Sequence, residues 1–446
     1  MSGEWHKFRI DEIAKKITIG PFGSRMKSDL YTETGVPVIR GTNLTGGRVL
    51  TGDWVYVSNE TADGLTSCTV VAGDLVFPHR GAIGEVGIVP GGRERYILSS
   101  SLMMLRANAL QAHSLYLYYF FKSREGQHEL LKNASQVGTP GIGQPLTSLK
   151  SIEVSLPEIE EQRTIAHILG TLDDKIELNR RMNETLEAIA RAMFKSWFVD
   201  FDPVRAKMSG EPPESICQRL GLTPDLLAIF PDRLVDSELG EIPEGWIVGA
   251  FHSCCDRIES GGTPSRSVAE YWNGTISWLT SGEVRDVIVL ETKEKITIAG
   301  LNSSSAKVWP RGTTVVAMYG ATAGQVCLLA EEMTANQACC ALIPKPEFVS
   351  FVFLTARASI TQLSDKASGS AQQNLNKSLV ANHQLILPTL KTAGAFEGAV
   401  SCLFGKWISN QRECESLAVV RDNLLPKLLS GELHVSEADS DIEVCA

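Results

Sequence analysis

The feature that most constrains this sequence is an internal duplication. GEWHKF, which contains Trp5, and PEGWIV, which contains Trp246, place their tryptophans 241 residues apart. GDLVFPHRGAIGEVGIV from Gly73 matches GTTVVAMYGATAGQVCLL from Gly312, 239 residues later. IEVSLP and QLILP end on prolines that lie 231 residues apart, and a long helical pattern follows each. A repeated unit predicts two copies of one domain, each followed by a helix.

Each copy is expected to be a small mixed domain, which gives the chain an α+β fold class. Short runs rich in Val, Ile and Thr predict strands at 36–39, 70–77, 86–89, 98–105, 276–279 and 314–318. Aromatic-rich segments predict corresponding helices at 114–122 and 348–361. The uncharged run from Thr313 to Ala330 predicts two buried strands around a turn, because its Gly, Thr and Gln residues do not suit a membrane span.

The segments after the two Leu-Pro pairs predict long helices with heptad spacing. The helices are expected to pair antiparallel as a coiled coil, giving the duplicated chain pseudo-two-fold symmetry. The predicted apolar seam, with one Asn at the same place in each helix, contains Leu169, Leu172, Ile176, Asn179, Leu186, Ile189, Val400, Leu403, Trp407, Asn410, Leu417 and Val420. A polar residue in such a seam can fix the register of the helices. The alternative is that both Asn side chains point to solvent.

These patterns predict six segments. They are a first domain at 1–156, a spacer helix at 157–205, a linker at 206–245, a second domain at 246–388, a C-terminal spacer helix at 389–435 and an acidic tail at 436–446. The first and second domains carry net charges of about +2 and 0 in a chain of net charge −10. Any nucleic-acid contact must therefore rest on local geometry rather than on bulk positive charge.

Several chemistries lack their motifs. The sequence has no GxxxxGK[ST] phosphate loop and no Cys or His spacing that suits zinc, so we expect neither a nucleotide-driven motor nor a metal site. One enzyme hypothesis remains, a metal-dependent nuclease that uses Asp286, Glu291 and Lys293. A coiled-coil adaptor that does not bind DNA is a further alternative. The N-terminal residues form no apolar signal core, which favours a cytoplasmic location.

The segment LPEIEEQRTIAHILGTLDDKIELNRRMNETLEAIARAMFKSWFVDFDPVR, residues 156–205, resembles the central region of specificity subunits of Type I restriction–modification enzymes. GTPGIGQPLTSLKSIEVSLP resembles the end of the first target-recognition domain in that family, and FPDRLVDSELGEIPEGW resembles the start of the second. After the second Leu-Pro the chain reads TLKTAGAFEGAV and lacks the Glu-Glu-Gln of the first helix. That departure puts equal binding of partners by the two helices in doubt.

The resemblance implies a subunit without catalytic residues of its own. It implies binding to double-stranded DNA through two recognition domains, each reading one half of a split target, with two methyltransferase (M) subunits and restriction (R) subunits as partners. S-adenosylmethionine, magnesium and ATP would belong to those partners. The helices would act as a ruler, and 38 residues of helix span roughly 57 Å. An insertion of four residues near Asn179 is expected to lengthen the gap between the half-sites.

DNA contact requires side chains with donors or acceptors on exposed loops. In the first domain, the candidates in Gly-containing loops are Ser24, Arg25, Lys27, Arg40, Asn43, His79, Arg80 and Gln144. In the second domain, the candidates are Thr263, Ser265, Arg266, Ser281, Glu283, Arg285, Tyr319, Gln372, Gln373 and Asn374. The alternative for each is a solvated turn residue, since Gly, Ser, Asn and Arg are common in loops. Phosphate contact is favoured over base contact for Arg25, Lys27, Arg80 and Arg266.

Overall fold

The computed structural model describes residues 5–21, 26–44, 47–135, 138–285, 287–368 and 375–433, with the side chains of 321 and 366–368 excepted. The chain divides into two compact units. Unit 1 contains residues 1–178 and 414–446, and unit 2 contains residues 179–413. Each unit therefore contains one globular domain and a part of each long helix.

Two four-stranded sheets form the domain of unit 1. The first is antiparallel and contains, in spatial order, Ala14–Ile19, Leu102–Ala107, Leu75–Pro78 and Gly87–Ile88. The second has a parallel central pair and contains, in spatial order, Val55–Val57, Val36–Ile39, Tyr96–Leu98 and Thr69–Val70. The domain also has two strand pairs, His6–Arg9 with Glu153–Leu156 and Ala134–Ser135 with Gly141–Ile142. Its helices are Ile10–Ile13, Asn59–Asp63, Ser114–Lys122, Arg124–Leu131 and Pro145–Lys150.

Unit 2 is built around a five-stranded sheet and a three-stranded sheet. The larger sheet contains, in spatial order, Cys255–Ser260, Cys339–Pro344, Thr314–Ala317, Val326–Leu329 and Ile288–Val289, of which the last pair is parallel. The smaller sheet contains Glu294–Ile296, Trp272–Leu279 and Thr334–Ala335. Ile247–Ala250 pairs with Gln384–Leu387. The helices of this domain are Phe251–Cys254, Ile298–Asn302, Val349–Ala358, Ile360–Ser368 and Lys377–Ala381.

The two domains repeat one plan, which confirms the predicted duplication and the mixed α/β class. In each domain the first strand pairs antiparallel with the last. The next strand also carries the same irregularity, a register shift between Ala14 and Lys16 in unit 1 and between Cys255 and Arg257 in unit 2. The two strands predicted between 313 and 330 are present as an antiparallel pair.

The segment predicted as a linker contains regular structure. It holds the end of the helix Asp202–Met208, the helices Pro213–Leu220 and Pro224–Leu227, and a hairpin of Leu234–Ser237 and Gly240–Pro243. Phe198 and Phe201 are the first and last residues of the FVDF motif. Their ring centroids lie 5.6 and 5.7 Å, respectively, from that of Trp246. The motif thereby fixes the end of the first long helix to the start of the second domain within unit 2.

Two helices of about 40 residues follow the two Leu-Pro pairs, as predicted. We call Ile159–Phe198 the central helix and Leu390–Ser430 the C-terminal helix. They run antiparallel within each unit. In unit 1 Asp173 contacts Arg421 and Ile176 contacts Cys414, and in unit 2 Asn179 contacts Glu413 and Asn183 contacts Asn410. No helix in the described part of the chain is both long and apolar enough to cross a membrane.

The predicted seam follows the buried stripe of the central helix in unit 1 but leaves it in unit 2. Leu169, Leu172 and Ile176 are buried, whereas Ile189 is 43% exposed and Leu186 is only partly buried. The seam prediction was therefore wrong at Ile189. An α-helix turns every 3.6 residues, so its buried stripe drifts by about 20° per heptad from a strict seven-residue repeat. The stripe passes instead through residues that the repeat had not selected, Asn183, Ala190 and Phe194.

The C-terminal helix buries its predicted seam to different extents. Val400, Trp407 and Asn410 are buried in unit 2. Leu403 is partly buried against the unit 2 core, and Leu417 and Val420 are partly buried against the unit 1 core. This unevenness arises because each globular domain, and not only the neighbouring helix, packs against these side chains.

Both seam asparagines are buried, at 2% exposure for Asn179 and 0% for Asn410. The Nδ2 of Asn179 donates to Glu413 Oε2 at 2.8 Å, and the Nδ2 of Asn410 donates to Asn183 Oδ1 at 2.9 Å. Neither side chain points to solvent, so the alternative interpretation is wrong. The geometry supports their role as a polar register mark between the helices.

Candidate nucleic-acid interface

In unit 1 the structure brings together the two loops that carry His79, Arg80 and Gln144. The backbone N–H of Ile142 donates to the carbonyl of His79 at 2.9 Å, and that of Gly81 donates to the carbonyl of Pro140 at 2.9 Å. Gln144 follows with φ 46° and begins the helix Pro145–Lys150. Arg80 and Gln144 are both exposed on this paired-loop surface.

His79 belongs to the same loop but is buried, with 5% of its surface exposed. Its Nε2 lies 3.1 Å from the carbonyl of Ser100, and burial lowers the pKa of its imidazole. The ring is therefore neutral near pH 7 and is directed into the protein. This placement contradicts the prediction of His79 as a DNA contact, because the ring is buried against the carbonyl of Ser100, whereas Arg80 is exposed.

Unit 2 repeats the paired loops with different side chains. The N–H of Leu375 donates to the carbonyl of Met318 at 2.8 Å, as Ile142 does to His79 in unit 1. Tyr319 therefore occupies the position of Arg80, and its side chain is 39% exposed. Gly320 has φ 73°, a conformation that favours glycine and that Gly81 also adopts at 84°. An exposed aromatic ring thus replaces a cation at equivalent positions. Gln372, Gln373 and Asn374 lie outside the described residues.

Asn43 and Glu283 occupy equivalent positions, and both hold a turn together. The Oδ1 of Asn43 accepts from the N–H of Arg40 at 2.9 Å, and its amide donates to the carbonyls of Thr51 and Asp53. Glu283 accepts from the N–H and the hydroxyl of Thr280 at 2.9 and 2.7 Å. Its second oxygen accepts from the N–H of Lys293.

These bonds contradict the prediction of Asn43 as a DNA contact, because Asn43 is fully buried and its donors and acceptor are used within the protein. Glu283 is partly exposed, and both of its oxygens are engaged. Both side chains therefore shape the surface that DNA would meet. The Thr-x-x-Glu spacing at 280–283 is a capping pattern, and that signal could have identified the role of Glu283.

The remaining candidates around these turns differ in how exposed they are and in whether they are hydrogen-bonded within the protein. Arg40 donates from Nη2 to the carbonyl of Asp53 at 2.6 Å, which ties its guanidinium to the same turn as Asn43. Lys27 and Arg285 are exposed, and Ser281 is partly buried at the start of the turn that Glu283 holds. Ser24 and Arg25 lie outside the described residues.

The loop from Gly261 to Ser267 is fixed by two tryptophans. The indole Nε1 of Trp278 donates to the carbonyl of Gly262 at 2.9 Å, and that of Trp272 donates to the carbonyl of Ser265 at 3.1 Å. A Cβ at Gly262 would lie 2.3 Å from the backbone nitrogen of Ala306, so the loop needs glycine there. Thr263 forms a hydrogen bond with Gln337. Thr263 and Ser265 are thus presented on a preformed loop.

Arg266 lies on the same loop, and its charge is already paired. Its guanidinium carbon lies 3.8 Å from the ring centroid of Trp272 and 4.9 Å from that of Trp278. The side chain also donates two hydrogen bonds to the carboxylate of Glu294, which lower the pKa of that carboxyl. A phosphate contact by Arg266 would have to share the guanidinium with Glu294.

Three cations that are not among the sequence candidates lie together beside this loop. Arg257, Lys307 and Lys377 line an open cleft of about 580 Å³ together with Glu259 and Ser260. A second cleft of about 330 Å³ shares Arg257 and Lys377. Because 50 or more residues separate these cations along the chain, no local pattern could have indicated them.

The nuclease hypothesis receives no support from the described residues. Glu291 and Lys293 are both exposed, and Asp286 lies outside the described part of the chain. Among the residues that the structure describes, no group of three or more His, Cys, Asp or Glu side chains is placed to hold a metal ion.

Comparison with known families decides between the remaining interpretations. The model for the Type I restriction modification DNA specificity domain matches residues 2–188 and again residues 243–394. The two matches cover both globular domains and most of the chain. The chain belongs to the Type I restriction–modification specificity-subunit family.

Similar proteins support this assignment. The specificity subunit of the Type I restriction enzyme HindI of Haemophilus influenzae is 29% identical over 473 aligned residues, which cover 96% of this chain and 100% of that protein. The MjaIX specificity subunit of Methanocaldococcus jannaschii is 28% identical over 73% of this chain and 70% of its own length. The crystal structure of the S subunit from M. genitalium aligns with a TM-score of 0.61 and 16% identity, covering 96% of each chain, and shows the shared fold.

Proposed function

We propose that this specificity subunit binds a bipartite DNA target, with one half-site read by the domain of unit 1 and the other by the domain of unit 2. The observation that carries the proposal is that the DNA specificity domain model matches the chain twice. The paired loops add support, because both domains present equivalent loops with different exposed side chains, Arg80 in one and Tyr319 in the other. Different side chains at equivalent positions suit two different half-sites.

The same proposal gives the chain a scaffolding role in place of catalysis. Two adenine methyltransferase subunits and the endonuclease or translocase subunits are its expected partners, in the cytoplasm. S-adenosylmethionine, magnesium and ATP would be bound by those partners. Gln162, the Gln of Glu-Glu-Gln, is used inside unit 1: its Oε1 accepts from the N–H of His113 at 2.9 Å, and its Nε2 donates to two carbonyls. The lack of this motif in the second helix therefore bears first on how that helix packs, not on partner binding.

The test is a map of methylated adenine across the host genome, with the gene for this chain intact and with it deleted. Methylation at one split motif should disappear on deletion. Exchange of residues 246–388 for the same segment of a relative with a different target should then change only one half of the motif. A change in both halves, or in neither, would contradict the assignment of one half-site to each domain.

The ruler hypothesis has a separate test at the boundary between the units. Four residues inserted between Leu178 and Asn179, together with four between Glu413 and Cys414, lengthen both helices by about one turn, or roughly 6 Å. The unspecified gap of the methylated motif should grow by about two base pairs, at 3.4 Å per base step. Equal insertions in the linker at Gly210 serve as a control, because that turn belongs to neither long helix. An unchanged gap in the helix variant would refute the ruler.

A further inference from the structure

The cleft beside the loop Gly261–Ser267 carries more positive charge than its domain as a whole. Residues 246–388 have a net charge of about 0, yet among the described residues the larger cleft is lined by Arg257, Lys307 and Lys377 and by one carboxylate, Glu259. The charge of the lining is therefore about +2. A local surplus of this kind in a chain of net charge −10 attracts an anion to that place.

The carboxylate of Glu259 lies beneath the cations. Its side chain is 12% exposed, and its Oε1 lies 3.2 Å from Lys307 Nζ and 3.5 Å from Arg257 Nη1. Because one buried carboxylate serves two cations, it orients both side chains and neutralises only one charge. Arg257 and Lys307 keep more than half of their side-chain surface in solvent.

Lys377 is the least restrained of the three. Its side chain is exposed, and within the described part of the chain it makes no ion pair. It begins the helix Lys377–Ala381, whose sequence neighbour Leu375 bonds to the loop that carries Tyr319. Lys377 thus lines the cleft and lies two residues after Leu375, which bonds to the paired-loop surface of unit 2.

The shape of the region suits a chain of phosphates better than a small anion. Arg257 and Lys377 line both the larger cleft and the smaller one. The smaller cleft also contains His252, Ser378 and one carboxylate, Asp256, which the two shared cations outnumber. The two open clefts adjoin at Arg257 and Lys377, and Lys307 lines the larger one, so the three cations follow a continuous part of the domain surface. Exposed Lys and Arg side chains along such a surface are the groups that contact successive backbone phosphates.

Resting on the proposed function, we propose that Arg257, Lys307 and Lys377 bind the DNA backbone next to the half-site that unit 2 reads. Arg266, which the sequence had indicated for this role, is held by Glu294, and the three cleft cations take its place. Phosphate contacts fix the position of a protein on the duplex and carry no sequence information directly. The cleft therefore sets affinity, and the loop beside it sets which bases are read.

The test uses the full chain in complex with its methyltransferase subunits and measures binding to a duplex with the methylated motif and to a scrambled duplex. The double variant Lys307→Gln and Lys377→Gln should bind both duplexes more weakly by the same factor. The slope of log K against log salt concentration should become shallower by about 1.8, because each phosphate that the protein no longer neutralises removes about 0.9 from it. The matched control is Lys391→Gln with Lys406→Gln, which removes two exposed charges from the C-terminal helix in the same unit.

Three results would overturn the proposal. One is a salt slope equal to that of the control variant, and another is a loss of binding confined to the duplex with the motif. The third concerns inorganic pyrophosphate, added at concentrations that leave DNA binding unaffected. If it raises the melting temperature of the wild-type complex but not that of the double variant, the cleft is a site for a small anion. If the wild-type complex itself fails to prefer the motif, the proposed function fails instead.

Discussion

Asp173 provides the sharpest test of how a globular domain is attached to the long helices. In unit 1 its Oδ2 accepts from the hydroxyl of Tyr119 and its Oδ1 from Nη1 of Arg421, both at 2.7 Å. One carboxylate on the central helix therefore joins the domain and the C-terminal helix. Burial, reinforced by the neighbouring Asp173, raises the pKa of Tyr119, so its hydroxyl stays protonated and continues to donate.

Substitution Asp173→Asn keeps the size of the side chain, removes its charge and replaces one acceptor by a donor. A hydrogen bond to a charged group contributes about 1.5–3 kcal/mol. The Asp173 side chain is only 15% exposed, so water replaces the lost partner poorly. Arg421 retains Asp422 as a partner, which limits the loss. We expect the variant to reduce the free energy of opening of this junction by about 2–4 kcal/mol.

The adjacent Asp174 gives a matched control. Its side chain is 66% exposed and pairs with Arg48, and surface ion pairs contribute about 0–1 kcal/mol. Hydrogen exchange followed by mass spectrometry should show faster exchange at residues 414–430 in Asp173→Asn and little change in Asp174→Asn. Equal effects of the two substitutions, or full protection in Asp173→Asn, would refute the reasoning that the buried carboxylate joins the three elements.

Three further predictions concern other parts of the fold. Asn410→Leu alone should lower the free energy of urea unfolding by about 1–3 kcal/mol, because the buried side-chain oxygen of Asn183 loses its donor. Leucine at both 183 and 410 should be nearly neutral, and losses that simply add would contradict a paired polar contact between the helices. Gly262→Ala should lower stability by about 1–3 kcal/mol, because its Cβ clashes with backbone, and should make the half-site read by unit 2 less specific. Gly398→Ala, in a helix interior with open space around it, should raise stability by about 0.5–1 kcal/mol. The melting temperature reports the change in stability, and the methylated motif reports the change in specificity. Burial lowers the folded-state pKa of His79, so the neutral ring contributes to stability above the unfolded pKa of about 6.5, and this contribution is lost as the pH falls below that value. The urea midpoint of the wild type should therefore fall more between pH 7.5 and pH 5.5 than that of His79→Gln.

The elements that the sequence predicted well are those whose signal is local. The strand Val36–Ile39 and the helix Ser114–Lys122 begin and end where their apolar and aromatic runs do. The heptad seam was reliable at Leu169, Leu172 and Ile176 and failed at Ile189, where the buried stripe has drifted away from the seven-residue repeat. Periodicity shows which face of a helix is apolar, but it does not show which of two neighbours covers that face.

The candidate interface was harder to predict for a different reason. His79, Asn43 and Arg80 all lie in polar loop sequences, and only the third is exposed. Whether a loop side chain points outward depends on which distant carbonyl accepts its hydrogen bond, such as that of Ser100 for His79. The cleft cations pose the same difficulty, because Arg257 and Lys377 become neighbours only after the sheet and the short helix have formed.

The last turns of the C-terminal helix complete the core of unit 1. Leu424 and Leu428 of the C-terminal helix are buried in the core of unit 1, while unit 2 is one uninterrupted stretch, residues 179–413. During synthesis on the ribosome, unit 2 therefore has all of its residues before unit 1 does. The domain of unit 1 therefore keeps an open apolar surface until Leu424 and Leu428 have been made, and a nascent chain released earlier would expose that surface to other proteins.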